Sequence, residues 1–229
     1  MASSRPVVLE VTNTQLFVQH ILKSHTWPST LIVCSTRDEF LRSLAQGPET
    51  MVRNMDGLDN WLQTSTLRLL STSRSLRVAF CPDITHLRAY LATYSANVLQ
   101  RADEADTALR QKDVQPILAI LNPIELHRPT SAFSAQGLNR TFSSAVEAAH
   151  ATGSKLILAE CPPQSHDRHS PQDDDGPQEA QADPWSEELS ILNVTTKRLG
   201  DLSVGRTVKA RTLARRWCAF EMMPKAGRY

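Results

Sequence analysis

The chain has 229 residues, 41% of them apolar and 21% charged, with a formal net charge of +1. That length can bury a sizeable core, and that balance excludes a wholly disordered chain. Near-neutrality excludes a global electrostatic pull toward nucleic acid or membrane, so any such contact has to be local.

In chain order, apolar runs of strand length are predicted at Val7–Val11, Thr30–Cys34, Arg77–Cys81, Ile117–Leu121 and Leu156–Ala159. Helical spacing fills the gaps between them. Leu16, Val18, Ile21 and Leu22 line a first helix, and Phe40, Leu41 and Leu44 a second. Leu58 through Leu70 suit a third, Leu87 through Tyr94 a fourth, and Leu138, Phe142, Val146 and Ala149 a fifth. Strand then helix, repeated, predicts an α/β fold with a mostly parallel sheet flanked by helices. Consecutive apolar residues, rather than strict alternation, fit strands buried on both faces.

Two stretches break the pattern. Gln100 to Gln115 is polar, and reads as a helix end followed by a surface connection. Pro162 to Trp185 is rich in Pro, Gln, Asp and Ser, and is expected to be a disordered acidic insertion within a single domain spanning 1–229. Alternation then takes over at Ser190–Lys197, Val204–Thr212 and Trp217–Glu221, predicting three antiparallel strands that close one edge of the sheet.

The four cysteines, Cys34, Cys81, Cys161 and Cys218, form no C-x-x-C pair and read as buried thiols of a reducing compartment. No apolar run approaches the roughly 20 residues of a membrane span, so no membrane contact is expected. Phosphate-cradling motifs are absent: the segment after the first strand reads VTNTQ, Val11 to Gln15, without glycine or lysine. Cys161, His166 and His169 have a metal-like spacing but no fourth ligand nearby, and read as solvated side chains. Glu10, Glu125 and Glu160 fall at strand ends, where α/β active sites form, but no partner base or nucleophile accompanies them. No catalytic residue, cofactor or metal is expected.

The stretches LRVAFCPDITHLRAYLATY (76–94), PILAILNPIELHR (116–128), SAFSAQGLNRTFSSAVEAAHATGSKLILAE (131–160) and VTTKRLGDLSVGRTVKARTLARRWCAFEM (194–222) occur in a telling order. Together they resemble the ATPase core of the RecA/eukaryotic recombinase family, while residues 1–75 match it only in layout. The resemblance implies that PILAILNPIE holds the Walker B strand, and that Asn122 stands where an active member has its aspartate. VTNTQ then stands in place of the phosphate loop. An amide lacks the charge that holds Mg²⁺ and its water shell.

Both halves of the nucleotide site are therefore expected to be lost. The resemblance implies a nucleotide-site-degenerate paralogue, of the kind found in Shu-complex-type recombination mediators. On that footing the chain is expected to be a non-catalytic nuclear subunit that pairs with another RecA-like protein and contacts DNA weakly. The alternative is a cytoplasmic scaffold subunit of an Elongator-type tRNA-modification complex. The C-terminal basic segment is the candidate nucleic-acid contact. If RTVKARTLARRW is a strand, Lys209 and Arg211 share a face with Thr207, with Arg206 at one end and Arg215 and Arg216 at the turn.

Overall fold

The computed structural model describes residues 5–24, 29–45, 76–104, 115–161, 183–191 and 206–223. Strands β1 (Val7–Glu10), β2 (Ser29–Val33), β3 (Leu76–Phe80), β4 (Ile117–Leu121), β5 (Lys155–Ala159) and β8 (Ala219–Met222) form one six-stranded sheet. Its order is β3-β2-β4-β5-β1-β8, and every pairing is parallel. Helices α1 (Thr14–Ser24) and α2 (Arg37–Ala45) follow β1 and β2, and α3 (Ile84–Glu104) follows β3. A short helix α4 (Pro123–His127) and the longer α5 (Ala135–Ala151) follow β4. A 3₁₀ turn (Pro184–Ser186), β6 (Glu188–Ser190), β7 (Thr207–Lys209) and α6 (Ala210–Ala214) precede β8.

The apolar runs explain the layering. Every residue of β2 and β4 is buried, because each strand has helices on both sides. Leu31, Val33, Ala119 and Leu121 face α1 and α2, where Phe17 and Ile21 are fully buried. Ile32, Leu118 and Ile120 face the other way, toward Leu87 of α3 and Leu138 and Phe142 of α5. Burying one such side chain contributes about 1.5–3 kcal/mol, so the two faces are the main source of stability.

Helix starts are written in the chain as polar caps. Asn13 Oδ1 accepts the Leu16 N–H at 2.8 Å, and Ser134 Oγ accepts the Gly137 N–H at 3.2 Å. Thr36 and Glu39 form a reciprocal capping box, with Glu39 Oε2 accepting the Thr36 N–H at 2.9 Å. Asp83 Oδ1 accepts the His86 N–H at 2.8 Å at the start of α3. At the other end of α5, Gly153 takes φ 64°, and the Ser154 N–H closes back on Ala149 O at 2.8 Å.

The C-terminal part departs from the reading as three antiparallel strands. β6 and β7 do pair antiparallel, but as a two-stranded sheet of their own. The strand expected over Val204–Thr212 is confined to Thr207–Lys209; from Ala210 the chain is helical, burying Ala210, Leu213 and Ala214. After that helical turn β8 runs beside β1 in parallel, with Val8 opposite Phe220. The end of the expected insertion is also core. Trp185 is buried, with its ring 6.5 Å from Phe142 and 5.3 Å from Phe220. The rest of that insertion, the helix expected over Leu58–Leu70, and residues 192–205 lie outside the described residues. No helix among the described residues is long and apolar enough to cross a membrane.

Candidate functional site

A parallel sheet delivers the carboxyl ends of its strands to one edge, where α/β folds build their sites. Here that edge carries Glu10 after β1, Cys34 after β2, Cys81 after β3, Asn122 after β4, and Glu160 and Cys161 after β5. α1 adds Thr14, whose hydroxyl lies 2.5 Å from Ser43 Oγ of α2.

Asn122 is the centre of this edge. It is the one non-glycine residue with positive φ among the described residues, at φ 60°, ψ 43°. Its short polar side chain tolerates that conformation. Its backbone N–H donates to Ala159 O at 2.8 Å, continuing the ladder toward β5. The side chain then holds the backbone of Cys161, two residues beyond β5, at both its N–H and its C=O. Oδ1 accepts the Cys161 N–H at 2.6 Å, and Nδ2 donates to Cys161 O at 3.2 Å. Only an amide can do both, because a carboxylate has no N–H to give. The residue standing at the expected acid position is thus spent on joining two strand ends.

Glu160 lies beside it, 4% exposed. Its Oε1 accepts the Ile124 N–H at 2.5 Å, while Oε2 has no hydrogen-bond partner among the described residues. Burial pushes its carboxyl up to about 8, against the opposing pull of the Ile124 and Glu125 amides. At neutral pH it is a neutral acid clipped to the start of α4. The other two strand-end acids are occupied: Glu125 pairs with Arg128 at 2.5 Å, and Glu10 with Arg211 in a close contact.

The cysteines match their expected character. All four are free and buried, and burial pushes Cys81 up to about 11 and Cys161 and Cys218 up to about 12. No thiolate nucleophile arises at such values. His166 and His169 lie outside the described residues, and among the described residues no three potential ligands converge on a metal position. His127, also fully buried, is satisfied by Pro123 O at 2.7 Å and Thr141 Oγ1 at 3.0 Å.

The cationic residues do not form the expected strand ladder. Arg206 and Lys209 are exposed on or beside β7, and Arg215 and Arg216 are exposed just after α6. Arg211 lies on α6, and is half-buried in a different role. It pairs with Glu10 and, at 3.3 Å, with Asp183, and its guanidinium sits 4.6 Å from the Phe220 ring centre. It ties α6, β1, β8 and the 3₁₀ turn together. The signal missed was Ala210-Arg-Thr-Leu-Ala, all but Thr good helix formers; the partners of Arg211 leave no local signal.

No protein-family model matches the chain, and no curated protein matches it.

Proposed function

We propose that this chain is a non-catalytic RecA-like subunit of a homologous-recombination or DNA-repair mediator complex. It acts in the nucleus by assembling with a second RecA-like protein and contacting DNA weakly. The observation that carries the reading is the use made of Asn122: its amide holds both the N–H and the C=O of Cys161 and brings no negative charge to a Mg²⁺ water shell. The start of α1 supports the same conclusion. Asn13 caps the helix with its own side chain and Thr14 is tied to α2, so the place of a phosphate loop is filled by ordinary capping. What remains useful in such a chain is its shape and its surface. Arg206, Lys209, Arg215 and Arg216 are exposed near one another in sequence, and supply a local cationic contact of the salt-dependent kind.

Affinity purification of the tagged chain from its own cells, followed by mass spectrometry, tests the assembly. Recovery of a recombinase-like partner together with DNA-repair proteins is the expected result. Recovery of tRNA-modification subunits would move the chain to the Elongator-type alternative. A chain that elutes alone, with no RecA-like partner, contradicts the proposal.

A further inference from the structure

Arg88 on α3 and Arg140 on α5 stand out as unpaired cations. The two helices pack side by side on one face of the sheet. Arg88 Nη2 donates to Gly137 O at 3.1 Å, so its guanidinium lies across the first turn of α5. Arg140 is one turn further along, on the same side of the helix as Gly137, and is exposed. Neither arginine makes an ion pair with a carboxylate among the described residues. Arg88 Nε is buried and has no acceptor among them. Desolvation and the neighbouring charge of Arg140 both weaken the hold of Arg88 on its proton.

Such an arrangement is costly as it stands. A buried donor without an acceptor is unfavourable, and two like charges repel. One anion bound between them relieves the repulsion. The residues around the pair favour a polyanion: Ile84–Tyr94 and Ala135–Val146 include these two arginines and no carboxylate. Asp83, at the head of α3, is already engaged by His86. A guanidinium fork matches the two free oxygens of a phosphodiester.

We propose that Arg88 and Arg140 form a cradle for one phosphodiester of a nucleic-acid strand on the α3–α5 face. The cradle deepens the nucleic-acid contact proposed above, and rests on that reading for the choice of polymer. It is a second contact, separate in sequence from the basic residues around β7 and α6.

Fluorescence anisotropy with a labelled single-stranded oligonucleotide, titrated between about 50 and 200 mM salt, tests it. The chain is measured alone and with the partner recovered by affinity purification. Arg88→Gln with Arg140→Gln is expected to weaken binding several-fold, and to reduce the slope of log affinity against log salt by about 0.7, the value for one lost phosphate contact. Arg140→Gln alone, at an exposed position that leaves the fold intact, is expected to give part of that loss. Unchanged affinity and slope in both variants would overturn the cradle while leaving the rest of the proposed function standing. Loss confined to inorganic phosphate, measured by calorimetry on the same variants, would overturn the choice of a nucleic-acid strand. Wild-type protein that binds no strand, alone or with its partner, would overturn the cradle and the DNA contact together.

Discussion

Replacing Glu160 by Gln isolates the energy of holding a carboxyl at the end of β5. Burial raises its pKa from 4.5 to about 8, so between these values the folded state binds a proton that the unfolded state has released. Stability therefore falls as pH rises through that window, and levels off above pH 8. Each unit corresponds to about 1.4 kcal/mol, so the whole window carries roughly 5 kcal/mol, or about 3 between pH 4.5 and 7. Gln keeps an oxygen to accept the Ile124 N–H and does not titrate. Its NH₂ meets no acceptor at the Oε2 position, at a cost of about 1–3 kcal/mol that is the same at every pH. The sign of the difference at one pH is therefore uninformative; its slope is the quantity to measure. Urea unfolding followed by circular dichroism, at steps from pH 5 to 9, gives it directly. The wild type should lose several kcal/mol relative to Glu160→Gln between pH 5 and 8, with no further divergence above. Parallel curves across the range would refute a neutral, buried Glu160.

The remaining expectations concern the clamp, the guanidinium tie and the segment before β6. Asn122→Asp removes the donor to Cys161 O and sets a carboxylate oxygen against it, so it should destabilise by about 1–3 kcal/mol in urea unfolding, and confer no Mg·ATP binding. The triple reversal Lys209→Glu, Arg215→Glu and Arg216→Glu should leave the melting temperature within a few degrees, because all three side chains are exposed. Adding Arg211→Glu, beside Glu10 and Asp183, should lower it clearly, and equal melting of the two variants would contradict the structural role of Arg211. Deleting residues 164–182 should leave the melting transition almost unchanged, whereas Trp185→Ala should cost about 3–5 kcal/mol, measured by the same unfolding.

The parallel sheet was legible because its strands are buried on both faces. The runs expected at Ile117–Leu121 and Leu156–Ala159 fall on β4 and β5 to within a residue, and the first three strands are displaced by no more than one residue at either end. In the C-terminal region the antiparallel pairing of β6 and β7 was legible, whereas the placement of β8 was not, for a physical reason. An edge strand alternates whether its neighbour runs parallel or antiparallel, so periodicity alone does not show that β8 runs parallel to β1. Trp185 was hidden by its polar surroundings, and the reading placed it in the insertion.

At the site, the identity of Asn122 was readable and its task was not. The clamp depends on the end of β5, 39 residues later, and the Arg211–Glu10 pair joins residues 201 apart. Contacts at such separation come from topology, and one-dimensional patterns do not carry them. The capping residues Asn13, Thr36, Asp83 and Ser134, by contrast, act on donors three positions away, and local sequence suffices to find them.

The nucleotide-free character of the carboxyl edge is the claim on which the proposed function turns, and isothermal calorimetry of the purified chain with Mg·ATP tests it most directly. With Asn122 committed to the backbone of Cys161 and α1 capped by Asn13, no binding heat and no shift in melting temperature are expected at millimolar nucleotide. Saturable Mg·ATP binding that disappears on changing Thr14 or Asn122 would contradict it.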